Sequence, residues 1–222
     1  MQFIRLLSAP HSSKYLLFFG VLHMLLLPLA FAGRGTFELP FNLFVAPELF
    51  PFFNIITFMG DGWFALVIFG LVWIIAIQQK LFIKAELINF LIVSALMGIG
   101  IYVFKQLIFP DVTRPIAHFT TLPQGWNPDN FSLSFHRFRS FPSGHTASAA
   151  TYGFFLMRYV PHPYKRVLLY VAILLVGYSR VFLFQHFVAD IFAGVLLGLL
   201  CVMGGDWISN QIFHKNRLEI DG

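Results

Sequence analysis

The sequence predicts an all-α integral membrane protein, one domain built as a bundle of six transmembrane helices, and three observations predict it. Of the 222 residues, 58% are hydrophobic and 18% aromatic, with a mean hydropathy of +0.75. Only 11% are charged, against about 25% in ordinary soluble domains. The apolar residues fall in charge-poor runs of bilayer length without strand-like alternation; in hydrocarbon, such a run satisfies its own backbone hydrogen bonds as a helix. A soluble globule is thereby excluded. The lone Cys201 sits in an apolar run, so neither an intrachain disulfide nor a cysteine metal site is available.

Scanning windows of about 19 residues places the spans near 15–32, 63–77, 87–104, 143–160, 167–184 and 187–208. The first follows Arg5 and Lys14 and ends Ala30-Phe31-Ala32-Gly33, which resembles a signal-peptidase site. The run is long for a signal peptide and is interrupted by His23 and Pro28, so 1–32 is expected to stay, with His23 a packed histidine. Between spans one and two, 33–62 is rich in Phe and Pro and suits an interfacial segment; Gly60-Asp61-Gly62 reads as a turn with an acid at a helix start. The polar outer loop 105–142 is the candidate for function.

Charge placement sets the orientation. With the N-terminus inside, Arg5, Lys14, Lys80, Lys84, Arg158, Lys165, Arg166, Lys215 and Arg217 are cytoplasmic, nine of the fifteen basic residues. The positive-inside rule then puts both termini in the cytoplasm. The net charge of +5 therefore reads as topology, and no nucleic-acid partner is expected. Six of the ten acids, Glu38, Glu48, Asp61, Asp111, Asp129 and Asp190, fall outside.

On that outer side the sequence gathers Lys105 and Arg114 after span three, Ser143, Gly144 and His145 at the start of span four, and Arg180, His186 and Asp190 around the turn between spans five and six. Ionisable groups at span ends are costly and are functional candidates by default. Together they suit a phosphate. A helix beginning after Pro142 with small residues offers free N–H groups to an anion, and Lys105, Arg114 and Arg180 would neutralise charge on transferring oxygens. His186 and Asp190 are one helical turn apart, so a carboxylate can hold one ring nitrogen and leave the other as a nucleophile, with His145 as general acid. Gly194 and Gly198 continue the stripe of His186 and Asp190, and Ser143, Ala147 and Thr151 form a matching one; the two helices are expected to abut there. Of the remaining polar residues, His136, Arg137 and Arg139 are candidate headgroup or second-phosphate contacts, and Asp111, Thr113 and His118 read as loop solvation.

Phe141-Pro142-Ser143-Gly144-His145, and Ser179-Arg180 followed after five residues by His186 and after three more by Asp190, resemble the second and third signature motifs of the type 2 phosphatidic acid phosphatase (PAP2) superfamily. The first motif of that family is Lys, six residues, Arg-Pro; here eight residues separate Lys105 from Arg114-Pro115. On an unbroken helix the longer spacing turns the lysine by about 200°, but Pro110 should end the helix and let the loop absorb the difference.

The resemblance implies a six-helix core and metal-independent phosphoryl transfer through a phosphohistidine on His186, with Asp190 orienting it, His145 as acid, and Lys105, Arg114, Ser143, Gly144 and Arg180 as the phosphate cradle; it implies no metal and no cofactor. The expected substrate is a membrane lipid phosphate or diphosphate: isoprenyl diphosphate, phosphatidylglycerol phosphate, phosphatidic acid or a lipid A phosphate. The expected setting is a bacterial inner membrane with the site on the outer face. A lipid phosphotransferase and a non-enzymatic phospholipid carrier are the rivals, the second disfavoured because binding alone requires no nucleophile, carboxylate and acid. Haloperoxidase chemistry, which would need vanadate, suits a membrane setting poorly.

Overall fold

The computed structural model describes residues 14–38, 47–78, 84–120 and 136–220. Arg5, Lys80 and Asp129 and the middle of the outer loop, 121–135, on which parts of the topology reading rest, lie outside them. All regular structure among the described residues is helical. Helix α1 (Lys14–Met24) and the short α2 (Leu27–Phe31) divide the first predicted span, with Pro28 in the first turn of α2. Helix α3 (Phe50–Phe58) occupies part of the stretch read as interfacial and meets α4 (Gly62–Gln78) across a break at Met59-Gly60-Asp61, bent by 52°. Helix α5 (Lys84–Tyr102) runs on into a π-helical turn, Val103–Ile108. A single turn, α6 (Pro115–His118), is followed by α7 (Gly144–Met157), α8 (Pro163–Phe182) and α9 (Val188–Ile220).

Two of these helical stretches, Lys84–Ile108 and Val188–Ile212, are long and apolar enough to cross a membrane unaided, and α3 with α4 makes a third if the bent pair is one span. Their outward faces carry Leu91, Ile99, Leu200 and Trp207, all exposed, as lipid-facing positions should.

Helices α7 and α9 form the centre, with α5, α8, α1 and α2 packed around them. The pairing follows from missing side chains. A Cβ on Gly198 would stand 2.6 Å from Ala150 Cβ and 2.7 Å from Thr151 N, and one on Gly194 would stand 2.8 Å from Ser143 O. Only glycine at these positions lets the backbones approach so closely, and the predicted abutment of the two small-residue stripes is observed. Below the contact the core is aromatic, with Phe19, Phe154 and Phe155 fully buried beside Tyr170. His23 is packed as expected, its Nδ1 3.0 Å from Tyr170 Oη and its Nε2 3.0 Å from Phe192 O.

Candidate active site

At one end of the α7–α9 pair lies a cavity of about 690 Å³, lined among others by Lys105, Arg114, Gly144, His145, Arg180 and His186. Residues from five places in the chain meet there, and each is brought in by a local feature of its element.

Lys105 arrives on the π turn. Phe109 N donates to Phe104 O at 2.8 Å, an i→i−5 bond, and such wide winding inserts an extra residue into a helix without ending it. The longer spacing to Arg114 is therefore absorbed first within the helix, ahead of Pro110, and not in the loop alone as the sequence led us to expect. Lys105 Nζ donates to Arg139 O at 2.8 Å and its Cε faces Gly144, 3.9 Å from where a Cβ would stand.

Arg114 is buried and anchored on the segment beside His186. Its Nη1 donates to Gln185 Oε1 at 3.0 Å and its Nε to Phe138 O at 3.1 Å. Arg180, at the last turn of α8, is also buried; its Nη1 donates to Thr57 Oγ1 on α3 at 2.6 Å, while its Nε finds no partner among the described residues. An unpaired buried donor of this kind is costly unless something else accepts from it.

His186 and Asp190 lie either side of the α9 start, both 1% exposed. His186 Nδ1 is 3.3 Å from Asp190 Oδ2. The same carboxylate oxygen accepts from Phe187 N at 3.0 Å and from Ser140 Oγ at 2.5 Å, so the aspartate is fixed by three donors. With Nδ1 so engaged, Nε2 is the ring nitrogen available to the cavity. Burial first, then the Arg114, Lys105 and Arg180 cations and His145, hold the His186 imidazole well below its ordinary value: desolvation and neighbouring positive charge both penalise the protonated ring.

Ser143 is the N-cap of α7, its Oγ accepting from Thr146 N and Thr146 Oγ1, while its N–H donates to Asp190 O at 3.0 Å. It is fully buried and outside the cavity lining, so its place differs from the cradle position expected of it: the hydroxyl that would meet a phosphate accepts the cap bonds of its own helix. His136 lines the cavity; Arg137 and Arg139 instead line an adjoining one of about 500 Å³ that shares Lys105, Arg114 and His136 with the first. Asp61 Oδ1 accepts from Trp63 N at 2.8 Å, the helix-start acid expected there, and the residue also lines the main cavity; Asp111, exposed, lines the second. His118 packs edge-on against Phe187.

Six contributors are not evident from the sequence. Thr57 and Asn54 stand three apart on α3 and both line the cavity; two polar residues on one face of an otherwise apolar helix were the available signal. Gln185 and Ser140 sit directly beside the motifs they serve. Glu38, counted only as an outer acid, accepts from Val188 N at 2.9 Å and so caps α9, while Arg34 stacks over the Phe187 ring at 4.7 Å. Among the described residues no three His, Cys, Asp or Glu side chains converge as a metal cage. The donor set is instead cationic, suited to an anion.

Comparison with known proteins points the same way. The PAP2 superfamily model matches residues 86–216. Phosphatidylglycerophosphatase B of Bacillus subtilis (strain 168) is 39% identical over 82 residues, 33% of this chain and 40% of that protein; the match thus spans well under half of that relative. The crystal structure of Aquifex aeolicus LpxE superposes with a TM-score of 0.60 at 27% identity, covering 79% of this chain and 95% of that one. The transmembrane PAP2-type phosphatidylglycerolphosphate phosphatase from Bacillus subtilis superposes with a TM-score of 0.61 at 26% identity, covering 91% and 98%.

Proposed function

Because the chain belongs to the PAP2 superfamily, we propose that it is a membrane phosphatase that removes a terminal phosphate from a lipid phosphate or diphosphate through a phosphohistidine on His186. The observation that carries this reading is one cavity in which an oriented neutral imidazole faces two buried arginines, a lysine and a second histidine. The phosphoryl group sits among Lys105, Arg114, Arg180 and the N–H groups at the start of α7. His186 Nε2 attacks phosphorus, the bond to the lipid oxygen breaks, and His145 gives that oxygen a proton. Asp190 stabilises the positive charge that develops on the ring. Water then attacks the phosphohistidine, His145 takes its proton back, and the P–N bond breaks to release inorganic phosphate. No step calls on a metal.

The chain is read as six spans, α1 with α2, α4, α5, α7, α8 and α9, with both termini in the cytoplasm and the cavity at the outer face of a bacterial inner membrane. The positive-inside bias supports that orientation. Ser143 supports the cradle from behind through the α7 cap. His136, Arg137 and Arg139, around the adjoining cavity, take a second anionic group, which favours a bulky or doubly phosphorylated lipid.

The test is release of inorganic phosphate from a panel of lipid phosphates by detergent-purified protein, with a chelator present, beside His186→Ala. Release that survives chelation and is lost in the variant is expected, along with an acid-labile phosphoenzyme from labelled substrate. No release with any lipid from folded protein overturns the reading, and label passing to an acceptor lipid in its place would identify a transferase.

A further inference from the structure

We infer that Ser140 is a positioning residue for phosphoryl transfer, holding Asp190 against His186 and thereby making the 136–140 segment part of the nucleophile's alignment. The inference rests on the reading of His186 as nucleophile. Ser140 is 0% exposed, and its hydroxyl donates to Asp190 Oδ2 at 2.5 Å while standing 3.5 Å from His186 Nδ1. A hydroxyl that donates to a carboxylate makes a charge-assisted hydrogen bond, stronger than one between neutral groups. It is also directed: it ends on the same oxygen that meets the imidazole, so removing the hydroxyl leaves only the Phe187 N–H to hold that oxygen against the ring.

The segment that delivers Ser140 is held more firmly than a connecting loop needs to be. Ser140 N donates to Val112 O at 3.0 Å and Arg114 N to Arg137 O at 2.9 Å; Arg114 Nε donates to Phe138 O and Lys105 Nζ to Arg139 O. Arg139 itself is left-handed, at φ 59°, a conformation that costs a non-glycine residue free energy and persists only where its surroundings enforce it. Two of the cations proposed to grip the phosphate thus also grip the backbone on either side of this turn. Phosphate binding and the aim of the nucleophile are mechanically joined through Ser140, which neither the sequence motifs nor a roll of cavity-lining residues reveals, since Ser140 stands behind His186 and outside the lining.

The experiment compares Ser140→Ala, Ser140→Cys, Asp190→Asn and the Ser140→Ala/Asp190→Asn double variant as full-length proteins in detergent, on the lipid phosphate that the wild type hydrolyses best. Ser140→Ala is expected to lower kcat about 10- to 100-fold, the scale on which misalignment acts, with KM within about twofold. Ser140→Cys, near in volume with a weaker donor, should fall between. The double variant should be no slower than Asp190→Asn alone, because the hydroxyl acts through that carboxylate; a purely structural role would multiply the two losses. A Ser140→Ala enzyme with kcat within twofold of wild type, or multiplicative losses in the double variant, overturns the inference. Should Ser140→Ala fail to run as a folded species on size exclusion, a Ser140→Cys enzyme with wild-type kcat overturns it equally. Undiminished phosphate release by His186→Ala would instead defeat the reading beneath it, whatever the Ser140 variants do.

Discussion

His186 and Asp190 show how a side chain's chemistry depends on what its neighbours leave free. The imidazole has one nitrogen tied to a carboxylate that is itself held by Ser140 and Phe187 N, and it is buried among cations. Since its value is lowered, the neutral form, the one the proposed attack on phosphorus needs, persists as pH falls past 6.5. The acid limb of kcat/KM, corrected for the ionisation of the lipid phosphate, should therefore lie below pH 6.5; a limb belonging to the enzyme and centred above it would contradict the burial argument. A second prediction concerns the adjoining cavity. Arg137→Gln combined with Arg139→Gln should raise KM about tenfold for a lipid carrying two phosphates and leave phosphatidic acid within twofold, because a charge-assisted contact is worth roughly 1.5–3 kcal/mol. Equal effects on both substrates would remove these arginines from headgroup recognition.

Helices α7 and α9 owe their pairing to glycines, and the pairing is what brings His145 and His186 to one cavity. Gly198→Ala would drive a methyl to 2.6 Å from Ala150 Cβ with backbone on two other sides, an overpacking worth about 1–3 kcal/mol. Thermal unfolding in detergent should show that loss, with kcat reduced as the cavity opens; an unchanged transition temperature would mean that the helices separate without cost. By contrast Gly70 and Gly98, which have open space where a Cβ would stand, should accept alanine with little effect in the same assay. The α9 start has a different kind of support. Glu38 accepts from Val188 N, an acid at the positive end of a helix dipole, so a residue far off in sequence steadies the turn that carries His186.

Across the whole molecule, polar groups occupy the two ends of the bundle and apolar groups the middle. Opposite the cavity, Arg158 at the end of α7 pairs with Glu86 of α5 at 3.5 Å and with Asp206 of α9, while Tyr159 Oη donates to Glu86 Oε2 and Asn89 Nδ2 to Asp206 Oδ1. The Arg158 side chain is wholly buried. Arg158→Ala removes the buried cation that two acids share and should cost about 3–5 kcal/mol, visible as aggregation on size exclusion or a large fall in unfolding temperature. Arg158→Met with Glu86→Gln and Asp206→Asn, which removes the charges together, should recover most of it. The orientation makes a further prediction: alkaline phosphatase fused after Gly222 should be inactive in a bacterial host and a fluorescent protein fused there bright. The reverse pattern would turn the molecule over and place the cavity in the cytoplasm.

How much of this was legible in the chain depends on the range of the interaction. His145, Arg180, His186 and Asp190 could be read directly, because their spacing fits one helix start and one inter-helix turn, and the resemblance in motif supplied their grouping. The glycine stripes could be read for the same reason, as a period along a helix. Lys105 could be placed in the cavity only by assuming that something absorbed two residues; the π turn that helps to do so leaves no plain mark in VFKQLI. Thr57 under Arg180, Glu38 on the α9 start and Ser140 behind Asp190 were out of reach, since each acts across a separation of at least fifty residues, and a single polar side chain in an apolar run does not declare its partner. The sequence by itself determined the solvent, through hydropathy, the helical class, through backbone hydrogen bonding in hydrocarbon, and the candidate site, through residue types held at helical spacing. Only the tertiary structure decided which nitrogen of His186 is held, where Lys105 points, and which distant donors fix the carboxylate, because those are settled by packing between elements.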